Sequence, residues 1–390
     1  MAIPFIDLKT QFSRIEQSVR SRMETVLQHG RFIMGPEVGE LEERLAEFCG
    51  VRFAVGCSSG TDALLMALMA QGVGPGDLVF TTPFTFVATA EAIALAGAVP
   101  AFVDIDPDTY NLDPKALHRA AEAAQARDAA LHPLPRQVLQ AETPLRMRGV
   151  LAVDLFGFPA DYEAINRVAE DFGMFVVEDA AQSFGATSHG RVAGALADAG
   201  CTSFFPAKPL GGFGDGGAVF TDDPDLDREL RSIRVHGQDR DKYSNRRIGL
   251  NARLDTLQAA VLLAKLDVFP QELESRQRIA AAYTELLQER AAGVCTPLVP
   301  KGMRPAWAQY SIRVKDRDGL RQALQASSVP TNVYYEIPLH LQPAFVHLGY
   351  GAGDMPVAEE TSRHIVSLPM HPYLTLDQIR GIVDSVAGNV

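Results

Sequence analysis

The sequence predicts an α/β protein, a large unit with a mostly parallel sheet between helices, followed by a small α+β unit. Three observations predict it. Short apolar runs such as FVVEDA (175–180) and GAVFT (217–221) lack polar alternation, as strands buried on both faces do. These runs alternate with helical patterns, which is how parallel strands are connected. Beyond residue 265 the alternation gives way to long helical patterns and isolated strand-like runs.

The elements follow in order. Residues 13–30 carry apolar positions at helical spacing and end near Gly30. PEVGELEERLAEFC (36–49) is a helix with Pro36 near its first turn and acids early. RFAVGCSS (52–59) reads as a strand, TDALLMALMAQ (61–71) as a helix and GDLVFTT (76–82) as a strand. TFVATAEAIALAG (85–97) is a helix and VPAFVDI (99–105) a strand. GVLAVDLFG (149–157) and CTSFF (201–205) complete the strand set with the two runs above. Residues 126–148 mix prolines, arginines and polar residues without period and read as an irregular, mobile surface insertion. Two helical patterns span Leu254 to Arg290, broken near Pro270. AQYSIRV, LRQALQASSV, SLPMHPYL and DQIRGIVDSVA then make a small α+β unit, giving expected domains of 1–265 and 266–390.

Composition narrows the function classes. The 390 residues are 47% hydrophobic and 22% charged, as in an ordinary soluble globular protein with a large core. A net charge of −12 argues against nucleic acid as the main partner. The four cysteines form no CxxC pair, so neither a metal site nor a disulfide framework is expected, and a reduced compartment fits best. The first residues show no signal peptide, and no apolar run is long enough to span a bilayer. No membrane association and a cytoplasmic location are therefore expected.

In a parallel sheet, ligands collect at the C-terminal strand ends. That rule directs attention to five places. Lys208 follows the strand CTSFF between Pro206 and Pro209, ahead of GGFGDGG. It is either a solvated loop charge or a partly desolvated amine able to form a Schiff base with an aldehyde or ketone. Asp179 ends a strand, with Gln182 three residues on. It is either a cap or a carboxylate facing a cationic partner. Ser58, Ser59, Gly60 and Thr61 join a strand to a helix, as a plain cap or as a phosphate cradle. Phe86 is either core or a stacking platform. The glycines of GGFGDGG are either positive-φ turn residues or a means of close approach, and GK[ST] is absent. Together, a lysine, an aspartate for a ring nitrogen, a phosphate cradle and an aromatic plate meet the requirements of pyridoxal 5'-phosphate.

Longer motifs carry a resemblance. FIDLKTQ, RFIMGPEVGELEERLAEFCGV, SSGTDALLMAL, GVGPGDLVFTTPFTFVATAEAI, VDIDPDTYNLD, VEDAAQSFGA, SFFPAKPLGGFGDGGAVFT, RVHGQDR, GLNARLDTLQAAVL and SLPMHPYL occur in that order. The chain resembles the DegT-type sugar-nucleotide aminotransferases, which have the fold type I, aspartate-aminotransferase-like architecture. By that resemblance Lys208 is the lysine that binds the cofactor covalently. Asp179 is the partner of the pyridine nitrogen, and Gln182 that of the phenolic oxygen. Ser203, Gly60 and Thr61 match the phosphate cradle, and Phe86 the stacking position. Asn251 matches an asparagine that reaches the phosphate in the neighbouring subunit, which implies a homodimer with shared active sites. Arg253 is the expected carboxylate-binding residue. Tyr334 and Tyr335 stand at a substrate-contacting position where the family often has His-Tyr.

HGQDRDKY and IPLHLQP resemble a subgroup that aminates carbon three of a nucleotide-linked keto sugar. The implied substrates are glutamate and UDP-2-acetamido-2-deoxy-3-oxo-glucuronate, the latter feeding lipopolysaccharide O-antigen. Other readings on the same fold are amination of a dTDP-3-keto-6-deoxyhexose or a UDP-4-keto sugar, or a non-catalytic regulator. Dehydratase relatives replace the lysine with histidine, and here Lys208 is kept.

Overall fold

Runs of buried residues build the main sheet of this computed structural model, which describes residues 3–239, 241 and 243–390. Arg240 and Lys242, part of HGQDRDKY, lie outside the described residues, as do Met1 and Ala2. The main sheet comprises β1 (Phe53–Cys57), β2 (Asp77–Thr81), β3 (Val99–Phe102), β4 (Arg146–Val153), β5 (Phe175–Asp179), β8 (Ala199–Ser203) and β9 (Gly217–Thr221). Their order is β1-β9-β8-β5-β4-β2-β3. The β3, β2, β4, β5 and β8 strands are joined by parallel pairings. β9 pairs antiparallel with both β8 and β1, so it alone in this sheet runs against the rest. The C-terminal ends of six strands and the start of β9 therefore share one edge.

Burial explains why these strands read as unbroken apolar runs. Every residue of β2 and of β9 is buried, because helices cover both faces of the sheet. The helix Pro36–Cys49 has Pro36 in its first turn and ends on Gly50 at φ 72°, both as end signals require. The helices outside the elements read from sequence include Tyr162–Phe172 and Pro224–Ile233. Each is capped by an aspartate side chain, Asp161 on Ala164 N and Asp223 on Asp225 N.

Beyond shifts of a few residues at element ends, two segments differ from expectation. The helix expected over 85–97 is Ala88–Leu95, which leaves residues 82–87 as a loop at the sheet edge. There the Thr82 hydroxyl accepts from Phe84 N at 3.1 Å, and Pro83 has no amide to continue a helix. The segment read as irregular contains a short helix, Arg136–Gln140, with Leu134 and Val138 buried. The Arg127 guanidinium ties it down, donating to the carbonyls of Val138, Leu139 and Ala141 at 2.6–3.0 Å.

Away from the main sheet, the hairpin β6 (Thr187–Ser188) and β7 (Arg191–Val192) adds β10 (Met303–Arg304), and β11 (Tyr310–Arg313) pairs antiparallel with β12 (Ile365–Leu368). Helices Phe269–Arg290 and Leu376–Ala387 share a core with β11 and β12. The rings of Tyr283 and Tyr310 stack there at 4.8 Å. No helix among the described residues is long and apolar enough to cross a membrane.

Candidate active site

At the shared edge, Asp179 closes β5 and is 6% exposed. Its Oδ2 accepts from the Thr89 hydroxyl at 2.9 Å and its Oδ1 from Ala181 N at 3.2 Å. The second contact is the turn-capping role. The first shows that the carboxylate also has a tertiary partner. Burial raises the Asp179 pKa, while the Thr89 hydroxyl and the nearby Lys208 ammonium pull it down. Burial lowers the Lys208 pKa, and Asp179 opposes that shift. Lys208 is thus no plain solvated charge. It sits in the loop after β8, where its backbone N–H donates to Phe205 O at 2.9 Å.

Gln182 is 5% exposed and held at both ends of its amide. Phe156 N donates to Gln182 Oε1 at 2.9 Å, and Gln182 Nε2 donates to Tyr335 OH at 3.2 Å. The Phe156 amide fixes which end of the amide is oxygen, so an Nε2 hydrogen remains for a ligand oxygen.

The helix Gly60–Ala70 starts against the end of β8. A Cβ on Gly60 would lie 2.6 Å from Ser203 Cβ, so only glycine permits this approach. Ser203 consequently stands beside the first-turn amides of Gly60 and Thr61, which have no intrahelical acceptors. Ser59 is the N-cap, accepting from Asp62 N at 3.0 Å, while the Ser58 hydroxyl donates to Asp62 Oδ2 at 2.5 Å. The cap reading thus holds for Ser59, and the amides stay open for an anion. The GGFGDGG glycines have no positive φ; they allow close approach. A Cβ on Gly211 would lie 2.5 Å from Pro206 O, and one on Gly217 2.4 Å from Ser59 O.

Phe86 is 56% exposed in the edge loop, so the core reading fails. Tyr335 packs edge-on against Phe84 with centroids 6.2 Å apart, and Tyr334 lies 6.5 Å from Phe5. The Leu339 amide donates to Pro83 O at 2.7 Å, which fastens the tyrosine segment to the Phe86 loop. Asn251 and Arg253 flank Ala252, whose carbonyl accepts from Ser58 N at 3.1 Å. Arg253 donates to Asn251 Oδ1, and Asn251 is exposed. Among the described residues no hydrogen bond joins Asn251 or Arg253 to Lys208, Asp179, Gln182 or Ser203 of the same chain.

Sequence reasoning missed a layer behind the site. Asp154, after β4, and Glu178, in β5, are fully buried. Asp154 accepts from Ala160 N, the Tyr162 hydroxyl and the Ser183 hydroxyl at 2.6–2.9 Å. Glu178 accepts from Gly194 N and Leu196 N at 2.7 and 2.9 Å. The two carboxyl groups lie close enough for each to act on the other's charge. Burial, reinforced by Asp154, holds the Glu178 pKa well above the usual carboxylate range. Thr89 was also missed; its only signal is a hydroxyl in an alanine-rich helix, four residues after Thr85. No group of three or more His, Cys, Asp and Glu among the described residues could hold a metal ion.

These residues fit pyridoxal phosphate. The crowding between Gly60 and Ser203 leaves backbone amides and a hydroxyl for a phosphate, Asp179 offers a buried carboxylate, and Lys208 offers an amine near enough to feel its charge. Fold and site together define a fold type I, pyridoxal-phosphate-dependent transferase. Residues 13–387 match the DegT/DnrJ/EryC1/StrS aminotransferase family, and the chain belongs to that family. It is 46% identical over 378 residues to the UDP-2-acetamido-2-deoxy-3-oxo-D-glucuronate aminotransferase of Pseudomonas aeruginosa, covering 97% of this chain and 98% of that one. Among solved structures, a DegT/DnrJ/EryC1/StrS aminotransferase from Brucella abortus is 46% identical, with a TM-score of 0.92 and 99% of both chains covered. DesV of Streptomyces venezuelae, solved in complex with a ketimine intermediate, is 36% identical, with a TM-score of 0.90 over 99% of this chain and 98% of that one. The chain is accordingly a sugar aminotransferase.

Proposed function

We propose that the protein transfers the amino group of glutamate to the C-3 ketone of UDP-2-acetamido-2-deoxy-3-oxo-glucuronate. The product is a 3-amino sugar nucleotide for lipopolysaccharide O-antigen, made in the cytoplasm. The observation that carries this reading is the placement of the half-buried Lys208 and the buried Asp179 at one sheet edge, close enough for each charge to act on the other. The 46% identity to the Pseudomonas aeruginosa enzyme supports the choice of sugar.

Pyridoxal phosphate, when bound, supplies the carbonyl that accepts an amino group and a ring that draws electrons from the neighbouring C–H bond. The chain supplies the rest. Gly60 N, Thr61 N and the Ser203 hydroxyl hold the phosphate. Asp179 accepts from the ring nitrogen, Gln182 Nε2 donates to the phenolic oxygen, and Phe86 covers the ring. Lys208 Nζ would bind the carbonyl at rest. Once released, it would move a proton between the donor's α-carbon and the cofactor, acting first as base and then as acid, which a lowered pKa favours. The two substrates enter in turn, and each carries a carboxylate. Arg253 binds both, with Tyr334 and Tyr335 forming the sugar-facing wall.

We also read Asn251 as a ligand to the phosphate of the neighbouring subunit, in a homodimer with shared sites. Its exposure, and the lack of a hydrogen bond to Lys208, Asp179 or Ser203 of its own chain, support that assignment.

The reverse reaction tests the sugar. The pyridoxal form is mixed with candidate amino-sugar nucleotides, and the cofactor spectrum is followed. The UDP-linked 3-amino uronate should convert the cofactor. Conversion by dTDP-linked or neutral amino sugars with none by UDP-linked uronates would overturn the assignment.

A further inference from the structure

Two threonines, Thr85 in the loop before the helix Ala88–Leu95 and Thr89 in its first turn, lead into Asp179. Thr85 Oγ1 and Thr89 Oγ1 are 3.2 Å apart, and Thr89 Oγ1 donates to Asp179 Oδ2 at 2.9 Å. Thr85 is 2% exposed and Thr89 0%. A hydroxyl has one hydrogen to give. Thr89 gives its hydrogen to Asp179, so Thr85 must be the donor across the 3.2 Å contact. The chain therefore has one polarity, from Thr85 through Thr89 to the carboxylate. Bonds arranged so that each donor also accepts strengthen one another, above all in a dry interior.

This polarity favours one state of Asp179. A donor at Oδ2, with Ala181 N at Oδ1, stabilises the ionised carboxylate. A hydrogen placed on Oδ2 would face the Thr89 hydrogen, and both buried threonines would have to turn around. Packing does not demand this arrangement, since valine would fill the Thr89 site with nearly the same shape. Only the hydroxyl distinguishes threonine there.

We propose that Thr89, backed by Thr85, is a positioning residue that keeps Asp179 ionised and aimed, so that a proton shared with the cofactor's ring nitrogen stays on the nitrogen. The inference rests on the reading that Asp179 faces that nitrogen. Thr89 touches neither cofactor nor substrate in this account; it acts through Asp179.

The test is the nitrogen resonance of the resting holoenzyme loaded with 15N-labelled pyridoxal phosphate. In the unsubstituted protein it should lie at the protonated position. Thr89→Val should move it toward the unprotonated position, in the direction set by Asp179→Ala, and weaken cofactor binding about tenfold. Thr89→Ser, which keeps the hydroxyl, should restore the original position. Thr85→Val should move it the same way by less, and it serves in place of Thr89→Val if that variant does not fold. If Asp179→Ala moves the resonance while the Thr89→Val and Thr85→Val proteins do not, the role of the threonines is overturned and the reading of Asp179 stands. If Asp179→Ala leaves it unmoved, the reading of Asp179 fails, and the inference with it.

Discussion

A 3.2 Å hydrogen bond from Gln182 Nε2 to Tyr335 OH joins two stretches of chain 153 residues apart. It connects the turn after Asp179 to the segment that carries Tyr334 and is itself fastened to Pro83. Tyr335→Phe deletes the acceptor and leaves a buried amide hydrogen unpaired. That should cost about 1 kcal/mol, or roughly fivefold in kcat/KM, with the protein still folded. Steady-state kinetics and a melting curve check it. Unchanged kinetics would mean that the bond does not hold Gln182 for the reaction.

Gly60→Ala places a methyl where Ser203 Cβ already is, at 2.6 Å. The helix start and the end of β8 must separate, at a cost of about 1–3 kcal/mol. Because the phosphate donors lie on both sides of that contact, pyridoxal phosphate should bind at least about tenfold more weakly. A fluorescence titration of the apoprotein measures this.

The buried pair behind the site gives a pH prediction. The Glu178 pKa is raised well above 4.5, and that of Asp154 rises from 3.8 to about 7, burial being the largest cause for both. Between those limits the folded state binds more protons than the unfolded chain, so stability falls as pH rises from about 4 through 7. Glu178→Gln removes one of the two titrating carboxyl groups and should flatten that slope. Urea denaturation across this range reads it, and an unchanged slope would show that the buried pair does not set it.

A shared active site predicts complementation. Lys208→Ala and Asn251→Ala proteins, each inactive, are unfolded together and refolded as a mixture. Random pairing yields heterodimers with one intact site, and about a quarter of full activity should return. No recovery in a mixture shown to contain heterodimers would place Asn251 in its own subunit's site.

Much of this architecture was legible because its causes are local. Strands buried on both faces show as apolar runs, and β9 matches 217–221 residue for residue. The helices Tyr162–Phe172 and Pro224–Ile233 carried capping aspartates that could have been read. Lys208 was ambiguous in its own loop, and Asp179 gave it meaning only because the parallel sheet brings both to one edge. The rest depends on contacts that no local pattern encodes. Thr89 lies 90 residues from Asp179, and Ser183 29 from Asp154. The glycine run showed that side chains had to be absent, but only the approach of Ser59 O and Pro206 O shows why.

The central claim is that Lys208 is the lysine that holds the cofactor. Borohydride reduction of the holoenzyme locks that bond, and peptide mapping by mass spectrometry locates it. The account predicts the reduced pyridoxyl group on the peptide containing Lys208, and its loss from that peptide in Lys208→Ala. Stoichiometric label on any other lysine of the native holoenzyme would contradict it.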